Sequence, residues 1–438
     1  MNNIKNVIYD WQGQIIKTEG IKRIQEDLIF DSLGSKPIKV ITGFRRTGKS
    51  FLVRQIAKRA INSGLYKLNN ILFLNFEDYE LDINNVEKLG KIYSFFKSNI
   101  SEIEEKKLLI FDEIQLVKGW DKFLRTIYEK ENDIEIIITG SNSELLSSEI
   151  GSNLSGRFIE FFVLPFSFKE FLKYKNTLPD SLSAYHQNKD SIDYLFNEFV
   201  SYGGLPEVFS INAKETKVSY ISGILNKVIL DDVVKRFALE NIEVFEQLTK
   251  YILANTGNQI SFAKVANHIN LSGRKVKAST LIKYSQYLVK AFAVFEVNKF
   301  DWKQSKYFSQ SRKFFAADTG LLSLFRSERE NYSFRIENLI YIELLRRKKE
   351  IAFGMNQQGK EIDFIVKENF DNKISEKIQV CLELNNNNFK REISSFEIAD
   401  KFLKKGKNVL LTLDNTEILK TNNLTINKIN ILEWLLFR

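Results

Sequence analysis

Residues 38–53 read Ile-Lys-Val-Ile-Thr-Gly-Phe-Arg-Arg-Thr-Gly-Lys-Ser-Phe-Leu-Val, and this stretch decides the fold. The run from Ile38 to Ile41 is short, largely β-branched and free of breakers, which predicts a fully buried parallel strand. Residues 43–50 then match the pattern G-x-x-x-x-G-K-S, a loop whose backbone N–H groups wrap the phosphates of a nucleotide. Apolar residues recur at helical spacing after the loop, and Gly64 marks the predicted end of that helix. Strand, loop and helix together predict a nucleotide site.

Each residue type in this phosphate loop (residues 43–50) has a mechanical reason. Gly43 and Gly48 let the backbone turn tightly and approach oxygen atoms without a Cβ in the way. Lys49 would bring a positive charge to the β- and γ-phosphates, and Ser50 would offer its hydroxyl to Mg²⁺. The predicted ATP-binding residues are Gly43, Phe44, Arg45, Arg46, Thr47, Gly48, Lys49, Ser50 and Phe51.

Two acids follow an apolar run further along the chain. Residues 108–111 are Leu-Leu-Ile-Phe and lead directly into Asp112 and Glu113. We expect Asp112 to hold Mg²⁺ and Glu113 to polarise the attacking water. The alternative, two acids on an exposed turn, is weakened by the loop upstream.

Another apolar strand, residues 134–139, ends in Gly140 and Ser141. A polar residue at that strand end could contact the γ-phosphate or the attacking water, so Ser141 is a further nucleotide-binding candidate. An ordinary strand-ending turn explains this short stretch equally well.

Composition bounds the class of protein. The 438 residues are 44% hydrophobic and 13% aromatic, which excludes a disordered chain and predicts about three domains. Cys381 is the single cysteine, so an intramolecular disulfide is excluded and a reducing compartment is expected. The N-terminus lacks the core of a signal peptide, and no run approaches the ~18 apolar residues of a membrane helix. These features predict a cytoplasmic, soluble protein without a membrane partner.

Strands and helices alternate through the first part of the chain. Strands are predicted near 38–42, 71–75, 108–111, 134–139 and 159–163. This alternation predicts an α/β fold with a parallel sheet and helices on both faces.

A basic segment lies near the middle of the chain. Residues 261–313 contain eleven Lys or Arg and two acids, a net charge of +9 that equals the net charge of the whole chain. A helix over 261–269, a turn at 272–273, a second helix near 279 and a strand pair (294–299 with 313–317) predict a winged helix that binds DNA. A protein-interaction module remains the alternative. The candidate DNA contacts are Arg274, Lys275, Lys277, Thr280 and Lys283.

With these residues quoted, the chain resembles prokaryotic P-loop ATPases of the additional-strand class, AAA-like and similar to signal-transduction ATPases. More narrowly, it resembles members that carry a winged helix and a C-terminal nuclease-like domain. The markers, in chain order, are residues 43–50, Asn75-Phe76-Glu77-Asp78, Asp112-Glu113, Thr139-Gly140-Ser141, Leu154-Ser155-Gly156-Arg157, Pro165-Phe166-Ser167-Phe168, Gly203-Gly204-Leu205-Pro206-Glu207 and Asp318-Thr319-Gly320-Leu321.

The resemblance implies two further roles. Gly204-Leu205-Pro206 is similar to a Gly-x-Pro element that contacts the nucleotide base from a helical lid, with a simple helix break as the alternative. Arg157 looks like an arginine finger, acting in cis or from a neighbouring subunit of a homo-oligomer. Its alternative is an arginine that stabilises the loop before the next strand.

In the C-terminal region, the resemblance places metal-binding positions of a restriction-endonuclease-like fold at Glu337, Asp363 and Gln379. A working site of that kind needs hard carboxylates on Mg²⁺ and a nearby lysine. Gln379 replaces an acid and Cys381 stands where the lysine would be, so a degenerate site without nuclease activity is predicted. Lys377 shares a strand face with Gln379 and is the candidate substitute.

The predicted organisation is a P-loop ATPase domain (1–165), a helical lid (166–240), a winged helix (241–325) and a nuclease-like domain (326–438). The predicted function is an ATP- and Mg²⁺-dependent switch that hydrolyses ATP and binds DNA. Two alternatives stay open: an active ATP-dependent nuclease of the PD-(D/E)xK type, and a nucleotide-clamped protein-interaction scaffold.

Overall fold

The computed structural model describes residues 2–81, 83, 85–141, 154, 156–271, 273–300, 312–325, 328–355, 360–368, 373–403, 406–421 and 424–438. These form two compact units, Met1–Val163 with Lys290–Phe292, and Leu164–Val289 with Ala293–Arg438. None of the helices within the described ranges has the length and apolar character needed to cross a membrane.

The first unit is built on a five-stranded parallel sheet in the order β2-β3-β4-β1-β5. Its helices are α1 (Asn2–Lys17), α2 (Ile24–Asp31), α3 (Lys49–Asn62), α4 (Val86–Asn99) and α5 (Trp120–Lys130). Its strands are β1 (Ile38–Thr42), β2 (Ile71–Asn75), β3 (Lys107–Asp112), β4 (Ile134–Gly140) and β5 (Phe158–Phe162). The predicted parallel sheet is confirmed, and each predicted strand is present to within a residue or so at its ends.

Both faces of this sheet are covered, which explains why its strands read as near-continuous apolar runs. Alternate residues of a strand point to opposite faces. Val40 accordingly belongs to one core cluster, whereas Ile41 belongs to the other together with Leu52 and Ile56 of α3. All five β1 residues are buried. The phosphate loop therefore leaves the sheet from a fully buried strand.

The second unit contains the remaining helices and a mixed sheet. Its helices are α6 (Phe168–Tyr174), α7 (Leu182–Gln187), α8 (Lys189–Tyr202), α9 (Lys214–Lys227, continued by a π-helical segment Val228–Lys235), α10 (Ile242–Ala254), α11 (Phe262–Leu271), α12 (Ala278–Lys290), α13 (Glu328–Arg346), α14 (Phe389–Phe402) and α15 (Ile431–Phe437). Its strands are β6 (Gln259–Ile260), β7 (Val294–Phe300), β8 (Arg312–Ala316), β9 (Glu350–Met355), β10 (Glu361–Lys367), β11 (Ile374–Val380), β12 (Lys407–Thr412), β13 (Glu417–Lys420) and β14 (Thr425–Asn430).

These nine strands form one sheet in the order β13-β14-β12-β11-β10-β9-β7-β8-β6. Strands β7 and β8 pair antiparallel, with Val294 opposite Ala316, as the strand-pair prediction required. The other edge of β7 pairs parallel with β9 at Lys299 and Phe300. The sheet thus includes residues on both sides of position 325, and the division into four domains stays a prediction.

Candidate functional site

The phosphate loop begins where the chain needs a glycine for a close approach. Gly43 has a φ of 151°, and a Cβ there would lie 2.2 Å from the carbonyl oxygen of Val163. The Val163 N–H donates to the carbonyl of Thr42 at 2.7 Å, which holds the chain after β5 against the start of the loop. Gly43 therefore lets two neighbouring segments of the first unit pass each other.

Inside the loop, side chains bond to backbone carbonyls. Lys49 is only 4% exposed, and its ammonium donates to the carbonyl oxygens of Gly43 and Phe44, each at 3.1 Å. The Thr47 hydroxyl also donates to Phe44 O, at 3.0 Å, and the Arg23 guanidinium donates to Thr47 O at 2.9 Å. These bonds fix the curvature of the loop and hold the lysine charge within it.

The two predicted acids lie at the carboxyl end of β3 and are linked by Thr139 at the end of β4. The Thr139 hydroxyl donates to Oδ1 of Asp112 and accepts the backbone N–H of Glu113 at 3.1 Å. Glu113 has a φ of 56°, in the left-handed region that non-glycine residues rarely adopt. One hydroxyl thus orients the first acid and holds the strained backbone of the second.

Asp112 has the chemistry expected of a Mg²⁺ ligand. It is fully buried, and its Oδ2 accepts no hydrogen bond from the residues that the structure describes. Burial and the neighbouring Glu113 raise the pKa of Asp112 to about 6, opposed by Thr139, the Ser50 hydroxyl and the Lys49 charge. A buried carboxylate oxygen without a donor is stabilised by a cation. Asp112 and Ser50 therefore fit the Mg²⁺ that the loop motif implies.

Glu113 is held by two side chains. Its Oε2 accepts hydrogen bonds from the Gln115 amide and from the Ser141 hydroxyl, the latter at 3.1 Å. Glu113 is 8% exposed and Ser141 is 1% exposed. The structure thus brings Ser141 and Glu113 together, while direct contact of Ser141 with a nucleotide stays a prediction.

Arg157 lies directly before β5, at the end of the strands opposite the phosphate loop. Its carbonyl accepts the N–H of Ile38, the first residue of β1, and its guanidinium pairs with Glu129 at 3.2 Å. The five-residue strand β1 separates this point from the loop by about 16 Å at 3.3 Å per residue. That distance exceeds the reach of one arginine side chain, which favours the alternative of an arginine that stabilises the loop before β5. A finger acting in cis or from a neighbouring subunit stays a prediction.

Pro206 starts a 3₁₀ turn, Pro206–Ser210, in the second unit. The segment before it is fixed by Asp318, whose Oδ2 accepts the Gly204 N–H at 2.6 Å and whose Oδ1 accepts the Gly320 N–H at 2.8 Å. Asp318 is 3% exposed, and burial raises its pKa to about 6. Contact between Pro206 and a nucleotide base stays a prediction.

The candidate DNA residues lie in the turn before α12 and on α12. Lys275, Lys277 and Lys283 are exposed, and Thr280 is half-buried. Arg274 forms an ion pair with Glu243, so part of its charge is neutralised. Two more basic residues of the segment are engaged elsewhere, Arg312 with Glu296 and Lys313 with the half-buried carboxylates of Glu337 and Glu361. Residues 301–311, which include Lys303 and Lys306, lie outside the described residues.

Two of the predicted nuclease-like positions are in contact. The backbone N–H of Asp363 donates to Oε1 of Gln379 at 3.4 Å, and Oδ2 of Asp363 accepts the Val380 N–H at 2.8 Å. Burial and the charge of Glu337 raise the pKa of Asp363 well above its ordinary value, which places Glu337 in the same cluster.

The suggestion that Lys377 replaces the missing lysine is wrong. Its ammonium donates to Asp400 and, at 3.1 Å, to the carbonyl of Leu403, and it is 1% exposed. Burial raises the pKa of Cys381 to about 12, so this thiol brings no charge either.

Sequence reasoning missed several residues. Thr139 belongs to a motif that was noticed, but its role depends on the pairing of β4 with β3. Glu361 lies two residues before Asp363, and this Glu-x-Asp spacing on one strand face was the available signal. Lys313 is distant in sequence from its partners, and nothing in the sequence indicated it.

Comparisons with known proteins agree with the class that this fold and site define. An AAA domain family matches residues 35–172, and a domain of unknown function (DUF8612) matches residues 193–331. The first match covers the parallel sheet, the phosphate loop and the Asp112–Glu113 pair. Residues 35–172 therefore have the P-loop ATPase-like fold of an AAA domain.

The chain is 34% identical over 386 residues to the uncharacterized protein MJ1544 of Methanocaldococcus jannaschii, covering 87% of this chain and 83% of that protein. An uncharacterized protein of Haemophilus influenzae is 31% identical over 402 residues, which cover 91% of this chain and 94% of that protein. The Walker-type ATPase PABY2304 of Pyrococcus abyssi is 15% identical, with a TM-score of 0.48 over 69% of this chain and 95% of that one. The chain belongs to the family of MJ1544 and the Haemophilus protein.

Proposed function

We propose that the protein hydrolyses ATP with Mg²⁺ at the phosphate loop and uses the nucleotide cycle to control an interaction with DNA. The observation that carries the catalytic part is the Thr139 hydroxyl, which joins Asp112 to the backbone of Glu113. This link joins two carboxyl groups at the end of β3, which supports the proposed roles of Asp112 as a Mg²⁺ ligand and of Glu113 as the base.

The residues divide the work as follows. Loop N–H groups and Lys49 bind the phosphates, and Ser50 and Asp112 hold Mg²⁺, which neutralises phosphate charge when bound. Oε2 of Glu113 is held by Gln115 and Ser141, so Oε1 is the oxygen that accepts a proton from the attacking water.

Two substitutions separate binding from chemistry. Lys49→Ala removes the charge that faces the phosphates, and we expect nucleotide binding to be lost. Glu113→Gln keeps Ser50 and Asp112 in place, so we expect binding to persist while turnover falls by about 10²–10⁴-fold. The exposed Glu87 on α4 gives a matched control, because Glu87→Gln changes the same group away from the site. Wild-type turnover in Glu113→Gln would show that the base is assigned wrongly.

Exposed charge supports the DNA part of the proposal. Lys275, Lys277 and Lys283 lie within one turn–helix segment and point into solvent, as phosphate-contacting residues do. We propose that these lysines bind the DNA backbone and that Thr280 lies beside them. The decisive measurement is ATP turnover with and without duplex DNA, together with duplex binding in the presence and absence of ATP. The proposed coupling is contradicted if duplex DNA leaves ATP turnover unchanged and ATP leaves DNA affinity unchanged.

A further inference from the structure

A buried lysine in the second unit is surrounded by carboxylates. The ammonium of Lys313, on β8, forms an ion pair with Glu361 on β10 and a second, at 3.5 Å, with Glu337 on α13. Asp363, two residues after Glu361, is close enough to raise the pKa of Lys313. Lys313 is 3% exposed. We call these four residues the Lys313 cluster.

Backbone groups contact Asp363 and Glu337 on the sides that face away from Lys313. Asp363 Oδ2 accepts the Val380 N–H at 2.8 Å, which commits that oxygen to the backbone of β11. A Cβ on Gly257 would lie 3.1 Å from Oε2 of Glu337, so the Gly257 backbone closes that side. Oε1 of Glu337 accepts no hydrogen bond within the described residues, and the Lys313 ammonium is the charge that faces it.

One oxygen of Glu361 and one of Glu337 lie within ion-pair distance of the Lys313 ammonium. A Mg²⁺ or Mn²⁺ ion needs several oxygens at about 2.0–2.2 Å from one common point. Among the residues that the structure describes, no three His, Cys, Asp or Glu side chains are arranged to hold a metal ion. The nitrogen of Lys313 occupies the point toward which Glu337 and Glu361 are directed.

The charges of the cluster explain why this cation must stay. Burial alone would lower the pKa of Lys313, but the three carboxylates raise it above its ordinary value, so the ammonium is charged at neutral pH. Burial raises the pKa of Glu337, and Lys313 opposes that rise. Without the lysine, three half-buried carboxylates would face one another with no counter-charge, an arrangement that either takes up protons or binds a cation.

We propose that Lys313 is the built-in cation of this carboxylate cluster and that it excludes divalent metal from it. Removal of Lys313 converts the cluster into a binding site for Mg²⁺ or Mn²⁺, with Glu337, Glu361 and Asp363 as the ligands. The Lys313 cluster of the native protein accordingly binds no divalent cation. This inference does not depend on the proposed ATPase activity.

The test uses Mn²⁺ alone, titrated into the nucleotide-free protein of 438 residues and followed by electron paramagnetic resonance. We expect wild type and Asp363→Asn to bind Mn²⁺ equally weakly, because the cluster takes none. Lys313→Met should gain one Mn²⁺ with an affinity about tenfold or more above wild type, and Asp363→Asn added to it should remove that gain. The exposed Lys264 on α11 supplies the control, and Lys264→Met should bind like wild type.

Several outcomes would overturn the inference. Mn²⁺ binding by the wild type that disappears in Asp363→Asn would show that the native cluster already holds metal. A folded Lys313→Met that gains no Mn²⁺ would show that the lysine is not what keeps metal out. If Lys313→Met does not fold, Lys313→Gln, which removes the charge and keeps a polar group among the carboxylates, takes its place. That variant should gain the Mn²⁺ site through Glu337, Glu361 and Asp363, and its failure to do so while folded counts against the inference.

Discussion

The carboxylate of Asp318 accepts the backbone N–H of Gly204 at 2.6 Å, across more than a hundred residues of sequence. Its other oxygen accepts the N–H of Gly320 at 2.8 Å. The neighbouring Gly203 has a φ of 80°, and a Cβ there would lie 1.6 Å from Oδ1 of Asp318. The carboxylate fills the space that a side chain at position 203 would need, so the backbone around Gly204 has one arrangement.

Gly203→Ala should therefore destabilise the protein by about 3 kcal/mol or more, through the clash with Asp318 and the positive φ. The matched control is Gly223→Ala in α9, where nothing lies within 4 Å of the added methyl group. That change should be neutral or stabilise by up to about 1 kcal/mol, because alanine favours helix. Thermal unfolding followed by circular dichroism measures both, and equal melting temperatures for the two variants would contradict this account.

The raised pKa of Asp112 predicts a defined pH dependence of stability. With a folded pKa of about 6 against an ordinary value of 3.8, the native state binds more protons than the unfolded state between these values. The contribution of Asp112 to stability therefore falls as pH rises from about 4 to about 6, by roughly 3 kcal/mol in total.

Asp112→Asn removes the free-energy penalty of ionising this buried carboxyl. The variant should therefore lose less stability than wild type between about pH 4 and pH 7, measured in EDTA. The same variant should lose the stabilisation that Mg²⁺–ATP gives to wild type. Asp10→Asn, at an exposed position of α1, is the control and should keep the wild-type profile. An unchanged profile in Asp112→Asn would mean that this carboxyl titrates normally in the folded protein.

Thr139→Val keeps the shape of the side chain and removes the hydroxyl. Asp112 Oδ1 then loses its donor and the Glu113 N–H loses its acceptor, so both acids lose their orientation. We expect ATP turnover to fall by about 10–100-fold, since a misplaced base loses much of its effect, with a smaller change in nucleotide affinity. Thr126→Val on the exposed side of α5 tests the substitution itself and should leave turnover intact. Full activity in Thr139→Val would show that the link is only structural.

Replacing Lys275, Lys277 and Lys283 with glutamine should weaken duplex DNA binding and flatten its dependence on salt. Each lysine on a phosphate contributes about −0.9 to the slope of log K against log salt, so the triple variant should lose about 2 to 3 units. A control variant changes three exposed lysines of the first unit, Lys17, Lys91 and Lys122, and lowers the net charge equally. Equal slopes for the two triple variants would favour a protein partner for this segment.

The sequence predicted the first unit well because its information is local. A phosphate loop needs glycines and a lysine at fixed spacing, and buried parallel strands read as apolar runs, so β1, β3 and β4 could be placed before any contact was known. The Asp112–Glu113 pair followed from the same pattern.

The sequence did not indicate which strands pair with each other, and strand pairing determines which side chains of the site come into contact. Thr139 reaches Asp112 only because β4 lies beside β3. Arg157 precedes β5, and it is the opposite end of β5 that lies near Gly43. Lys313 was counted with the basic segment, yet its charge is turned inward to acids that follow it in sequence by 24 residues or more. Such relationships depend on sheet order, which local patterns do not determine.

The nine-stranded sheet limits how the gene region that encodes the second unit can be divided during evolution. Strand β7 pairs with β8 on one edge and with β9 on the other, and Lys313 on β8 is neutralised by acids of α13 and β10. A gene fusion or truncation that separated residues 241–325 from the rest would leave a sheet edge unpaired and a buried ammonium without counterions. The helix–strand module and the region after it are therefore expected to be gained, lost and exchanged between proteins together, as a single evolutionary unit.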